Sequence, residues 1–385
     1  MTPVLSFLAE VRFLGLDGDQ LGVLAVGSLV GASCALVGSF LVLRRVAMLG
    51  DAISHAVLPG IVVMALLTHS LASIFMLTGA AVFGVLTVFL VGLLQRTGRL
   101  REDASIGVVF PALFAVGVIL VSRYTGGFHI DENCVLYGEI ELVSLDQLVV
   151  GDQLLGPRAL WVASAILLGN LLLVLCLFKE LKLTSFDPDL AASLGISPVL
   201  LHYLLMIAVS VTAVGSFESV GAILVVAMLI VPPATAYLLT DRLGVMLGLA
   251  VLLGVLSAWI GYFVASALDC SVAGSMAASA GGLFIIVFLG SPRHGILARW
   301  LARRVLARRF QEQLLLLHIR SDGGETISVG SISERFNWTS QRVHRIVGRL
   351  ASAGLVELVA DRICLTDRGH RTIEESGTSP LVHRS

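Results

Sequence analysis

Along the first 290 residues the apolar positions come in long unbroken runs. They show neither the alternation of a strand nor the one-sided stripe of a surface helix. A helix needs about 20 consecutive apolar residues to cross roughly 30 Å of hydrocarbon. That ruler predicts about nine transmembrane helices, near 21–43, 46–68, 71–94, 104–122, 158–178, 198–216, 217–239, 243–267 and 273–290. The division at 216/217 lies inside a continuous apolar run, which reads equally as a broken or re-entrant helix. From about 310 the pattern changes to that of a small soluble domain. Amphipathic runs near 310–320, 328–337 and 339–353 precede two short strands, Leu355–Val359 and Arg362–Thr366, and a helix from about Asp367.

Composition agrees with a membrane location. Hydrophobic residues make up 56% of the chain and charged residues 14%, against about 25% charged in an ordinary soluble domain. A soluble globule could not cover so much apolar surface. Charge is divided unevenly: up to Gly290 there are 11 Lys+Arg and 18 Asp+Glu, and beyond it 15 and 9, so the formal net charge of −1 joins an acidic part to a basic one. Arg44/Arg45, Arg96/Arg99/Arg101, Lys179/Lys182, Arg242 and Arg293/Arg299 fall at alternate ends of the spans. By the positive-inside rule those ends are cytoplasmic, which puts the N-terminus outside and the C-terminal domain in the cytoplasm. The first twenty residues lack a basic region followed by an apolar stretch, so no cleavable signal is expected. The five cysteines form no C-x-x-C pair, which argues against a zinc ribbon or a disulfide framework. The only lysines are Lys179 and Lys182, and neither follows a glycine, so a phosphate-binding G-x-x-x-x-G-K-[ST] loop is excluded. The chain itself does not hydrolyse nucleotide by that route and is not expected to be an enzyme.

Candidate chemistry begins with charges inside the apolar runs. In the second span, a rise of 1.5 Å per residue puts Asp51 roughly 9 Å and His55 roughly 15 Å beyond Arg45, near the bilayer midplane. The i, i+4 spacing sets carboxylate and imidazole on one helix face. An isolated carboxylate at that depth costs about 2.5–3.5 kcal/mol or more, so it belongs in a protein interior or a wet pathway. Two readings follow: a structural pair clamping helices, or a passage site for a divalent cation, for which oxygen and nitrogen are common ligands. One helix supplies too few ligands, and the rest must come from another span, from water or from a second copy of the chain. Glu218 is a second intramembrane acid, expected near the outer end of the seventh span, either lining the path or wetted at the interface. Pro232 and Pro233 put a kink into the same span, a plausible gate. His129, Asp131 and Glu132 cluster in an outside loop as solvated chemistry or a cation-capture point. Between the fifth and sixth spans, Asp187-Pro188 starts a short cytoplasmic helix, Gly195 ends it and Pro198 opens the next span. Such a capped projection is either a handle for a partner or a plain linker.

Three stretches, Arg44–Pro59, Asp189–Ile196 and Val220–Ala236, resemble the permease subunits of the metal ABC-3 family, the zinc/manganese/iron uptake transporters. The resemblance covers residues 20–290. It implies a homodimeric permease in the bacterial inner membrane, with two ATPase subunits docked on the 189–196 coupling helix at Asp189, Leu190, Ala191, Ala192 and Gly195. It also implies an extracytoplasmic metal-binding protein that delivers the cargo. Asp51 and His55 map onto positions regarded in that family as lining the cation path, with Glu218 a further candidate. No tightly bound cofactor is implied, only a transported divalent metal. The absence of a thiolate beside Asp51 and His55 favours manganese or iron over zinc, which these groups would also accept.

The tail carries a second resemblance. Residues 293–310 form a basic amphipathic helix suited to the anionic lipids of the inner leaflet. The order helix, helix-turn-helix, hairpin, helix over 311–376 is similar to the winged-helix DNA-binding part of iron/manganese-dependent repressors, on Ile332–Val347 and Leu365–Gly369. Ser340, Gln341, Arg342, His344 and Arg345 are then the groove-facing candidates. DNA binding, sensing of the transporter and contact with the ATPases all remain open for this domain. The predicted organisation is an extracytoplasmic segment 1–20, a permease domain 21–292, the linker helix, the winged-helix domain and a flexible tail 377–385. A membrane-tethered metal-responsive transcription regulator is the alternative for the whole chain.

Overall fold

The computed structural model of the chain describes residues 17–56, 58–68, 73–98, 100–124, 138, 140–150, 153–291, 295, 306, 310–319, 327–359, 362–369 and 371. It separates into two units, Met1–Gly295 and Ile296–Ser385. The first contains α1 (Gly18–Leu43), α2 (Ala47–Ala56), α3 (Leu58–Thr68), α4 (Ser73–Arg96) and α5 (Glu102–Tyr124). A 3-10 turn (Ile140–Leu142) and a hairpin of β1 (Gln147–Val150) and β2 (Gln153–Pro157) follow. Then come α6 (Arg158–Cys176), α7 (Phe178–Phe186), α8 (Pro188–Ser193), α9 (Pro198–Val220), α10 (Ala222–Leu239), α11 (Leu243–Leu268) and α12 (Val272–Gly290).

Among the described residues eight helical spans are long and apolar enough to cross a bilayer, α2 and α3 counting as one over Ala47–Thr68. The ninth expected span coincides with the 24-residue helix α4, whose described apolar stretch is Ala81–Gln95. The predicted division at 216/217 is corrected. The break lies at Gly221, whose φ of 77° is open to glycine and strained for other residues. Glu218 therefore sits in the last turn of α9 and not at the start of the next span. The sequence reading missed α7 and the hairpin; His129, Asp131, Glu132 and most of the linker helix 293–310 lie outside the described residues.

The core is built around α1, which has no polar face and is buried on nearly every side, from Val23 to Leu41. It packs against α10, α11 and α6. Small residues allow the approach: a Cβ on Gly31 would lie 3.0 Å from the Gly254 carbonyl oxygen, and one on Gly38 would lie 1.9 Å from that of Leu229. Apolar burial drives little association within lipid, so close packing and hydrogen bonds hold such helices together. Buried Asn170 of α6 supplies the latter, its Nδ2 donating to Ser33 Oγ of α1 at 2.8 Å and to Thr212 Oγ1 of α9 at 2.7 Å. Asn170→Leu should lower stability by about 0.6–1.7 kcal/mol, the span measured for interhelical hydrogen bonds in lipid. Thermal unfolding in detergent checks this, and an unchanged midpoint would show that the three helices do not depend on that tie.

The second unit contains a helix over 310–319, β3 (Ile327–Ser328), α13 (Val329–Phe336), α14 (Ser340–Ser352), β4 (Val356–Val359) and β5 (Arg362–Leu365). The strands form an antiparallel sheet in the order β3-β5-β4. Leu315, Ile319, Ile332, Val343, Ile346, Leu350, Val356 and Ile363 make its core. Ser328 caps α13 by accepting from Ser331 N at 3.2 Å, and left-handed Asn337 ends it. Only the two-residue β3 was absent from the sequence reading.

Candidate functional site

Asp51 and His55 lie one turn apart in α2, their side chains 38% and 35% exposed, so both open into space instead of being sealed in packing. That space is a cavity of about 320 Å³ lined by Asp51, His55, Ala222, Ile223, Val226 and Ala227. The far wall is thus the first turns of α10, beginning directly at the Gly221 break. His55 Nε2 stands 3.6 Å from Asp51 Oδ1, too long for a hydrogen bond. With bonds of about 2.0–2.2 Å to each donor atom, as for zinc, that separation subtends roughly 110–130° at a shared ion. The pair can chelate without rearranging its helix.

The imidazole is held from behind. Its ring lies 5.5 Å from the Phe110 ring and 6.1 Å from Phe114, centroid to centroid, the latter edge-on. These aromatics, one turn apart in α5, flank the imidazole where it lines the cavity. The sequence reading passed over them; their i, i+4 spacing around Pro111 was the available signal.

The backbone of Glu218 lies three residues before Gly221, in the turn that leads to the cavity wall, while its side chain lies outside the described residues. The chain tightens here: a Cβ on Gly138, itself at φ 69°, would lie 2.3 Å from Gly221 N. Gly138 therefore rests directly on the helix break. A separate cavity of about 600 Å³ lies among Asp19, Glu141, Tyr262, Asp269 and Cys270, and Glu141 Oε1 accepts from Val272 N at 3.1 Å at the start of α12. Among the described residues no three of His, Cys, Asp and Glu converge on one point.

The short helix α8 has the construction read from the sequence. Asp187 Oδ1 accepts from Leu190 N at 2.9 Å, Pro188 occupies the first turn, and Gly195 leaves it at φ 81°. Ala191 is fully buried, whereas Asp189, Leu190, Ala192, Leu194 and Gly195 are exposed. Just before α8, at the end of α7, Thr184 Oγ1 accepts from Arg44 Nη2 at 2.9 Å and Ser185 Oγ accepts from Arg44 Nε at 3.1 Å.

In the second unit, Ser340, Gln341, Arg342, His344 and Arg345 are all exposed on α14, opposite buried Val343, Ile346 and Val347. The Arg342 guanidinium sits 5.4 Å above the Trp338 ring, and Arg345 Nε donates to Gln341 O at 3.3 Å. Arg349 is turned aside to Glu312 at 3.3 Å.

Residues 20–291 match the ABC 3 transport family. The manganese transport system membrane protein MntD of Bacillus subtilis (strain 168) is 51% identical over 277 residues, covering 72% of this chain and 94% of its own length. The zinc transport system membrane protein TroD of Treponema pallidum (strain Nichols) is 44% identical over 352 residues, 90% of this chain and 96% of its own. That alignment is longer than the first unit, so the likeness runs into the second. Among solved structures, PsaBC from Streptococcus pneumoniae in complex with Fab is similar at 30% identity and a TM-score of 0.62, covering 78% of this chain and 98% of that one. With its whole helical unit matched and half its residues shared with a relative over that length, the chain belongs to the ABC 3 transport family.

Proposed function

We propose that the chain is the membrane-spanning permease of an ATP-binding cassette importer for a divalent transition metal. Manganese or iron is favoured and zinc is acceptable to the same ligands. The observation that carries this reading is the intramembrane cavity bearing Asp51 and His55, whose donor atoms are spaced for one ion. The pair supplies the first ligands; Glu218, water or the second protomer of a homodimer completes the set. Partner ATPases dock on α8 through Asp189, Leu190, Ala191, Ala192 and Gly195, an extracytoplasmic metal-binding protein delivers the ion, and the N-terminus faces outside. Names of the relatives support the metal class and do not choose within it, since one is a manganese and another a zinc system.

Reconstituting the chain with its ATPases and offering Mn²⁺, Fe²⁺ and Zn²⁺ separately tests the reading. ATP-dependent, saturable uptake is expected. Transport by the chain alone, with no ATP, would overturn it in favour of a channel or carrier.

The second unit is proposed to be a regulatory winged helix-turn-helix. Support comes from its order of elements, its three-stranded sheet and the exposed basic face of α14. The same face favours a second reading, a membrane-tethered transcription regulator contacting DNA through Ser340, Gln341, Arg342, His344 and Arg345. Deleting residues 310–385 separates them. Uptake within about twofold of the full chain is expected if the unit is regulatory, whereas lost control of metal-responsive transcription with unaltered metal content would point to the regulator.

A further inference from the structure

Two adjacent arginines close α1, and the structure treats them differently. Arg45 is exposed, as a cytoplasmic flanking charge would be, while Arg44 is turned inward. A flanking charge needs only water or lipid headgroups. Arg44 instead reaches across to a helix 140 residues away, giving Nη2 to Thr184 Oγ1 and Nε to Ser185 Oγ from one edge of its planar fork. Both hydroxyls are held ready for it. Thr184 donates its own proton to Glu180 O at 2.9 Å and Ser185 donates to Leu181 O at 2.6 Å, so their lone pairs are left for the guanidinium.

The link is short and stiff on either side. Arg44 N donates to Phe40 O, Arg45 N to Val42 O and Val46 N to Leu41 O, and Arg45 adopts φ 62°. That closed turn, ending at buried Val46, leaves no slack before α2, where Leu49 and Ile53 are buried and Asp51 stands within about two turns of Arg44. On the other side, Asp187 ends α7 by donating its N–H to Leu183 O at 2.8 Å and begins α8 by accepting from Leu190 N. One residue therefore joins the two helices, which also pack against each other. The other exit from α8, through Gly195 and Ser197 into α9, passes a glycine at φ 81° and is the more pliable connection.

We propose that Arg44 is a positioning residue: through Thr184 and Ser185 it transmits displacement of the ATPase-docking helix α8 to α2, and so moves Asp51 and His55 relative to α10. The proposal rests on the permease reading above. Its test uses the complete transporter in vesicles, with ATP hydrolysis and metal uptake measured side by side. In Arg44→Met, ATP hydrolysis should remain within about twofold of the unaltered complex while metal taken up per ATP falls at least tenfold. Thr184→Val/Ser185→Ala, which keeps the arginine and its charge, should reproduce the fall, and Arg44→Lys, able to reach one hydroxyl, should lie between. Equal uptake per ATP in Arg44→Met overturns the proposal. A proportional loss of hydrolysis and uptake also overturns it, since that marks a docking or folding role. Should Arg44→Met fail to assemble, the double hydroxyl variant decides alone, and normal coupling in it refutes the strut. Failure of the permease reading shows elsewhere, in the unaltered complex, as ATP hydrolysis without uptake.

Discussion

Asp51→Ala is expected to cut ATP-driven metal uptake by about two orders of magnitude or more while the protein assembles as before. Losing a partner one shell removed from a metal already costs 10–100-fold, and on the proposed reading a ligand itself goes. Stability should move the other way, if at all. A carboxylate at the centre of a bilayer costs about 2.5–3.5 kcal/mol, so one inside the hydrocarbon adds nothing to folding, and Asp51, 38% exposed, makes no close hydrogen bond with His55 that its removal would break. Transport lost at unchanged or raised thermal stability is thus the signature of a path residue, whereas a structural clamp predicts loss of both. His55→Gln belongs in the same series, because it keeps some bulk against Phe110 and Phe114 while removing the imidazole nitrogens. Metal uptake in vesicles and melting in detergent together decide it, and normal uptake by Asp51→Ala would remove the pair from the path.

Asp51 and His55 were legible in the sequence because charge inside an apolar run is costly and therefore conspicuous. The capped α8 was legible for a similar reason: Asp187, Pro188 and Gly195 each carry a local backbone preference. What escaped was whatever depends on distant packing. Polar Ser216, Glu218 and Ser219 lie inside the last turns of α9 and do not mark its end, and the break at Gly221 is fixed by its left-handed backbone and by Gly138 resting on it from about eighty residues earlier. Glu218 shifted helices with that boundary. Phe110 and Phe114 look like any other apolar pair until α5 is set beside α2. Arg44 reads as a topogenic charge, since its hydroxyl partners are 140 and 141 residues away.

Gly38→Ala is expected to have the largest effect on the fold. Pro232 and Pro233 lack N–H groups, so in α10 the carbonyls of Met228 and Leu229 lose their usual partners four residues on. The Leu229 oxygen is directed at α1, where a Cβ on Gly38 would lie 1.9 Å from it and 2.8 Å from its carbon. The proline pair therefore leaves its freed carbonyl against a glycine whose Cα hydrogens lie towards it, a weak interaction that still spares a bare oxygen from apolar surroundings. No rotamer relieves a backbone clash. Overpacking a core with a movable neighbour already costs about 1–3 kcal/mol, and here α1 and α10 must separate. The side chain of Leu229 sits 2.7 Å from where a Cβ on Gly50 would be, next to Asp51, so the displacement reaches the proposed metal path as well. Gly38→Ala should leave little folded protein in detergent and no uptake. Gly248→Ala, in α11 with open space around the added carbon, should behave like the unaltered chain. Comparable melting of the two variants would mean that α10 does not rest on Gly38, and the freed Leu229 carbonyl would then need another partner.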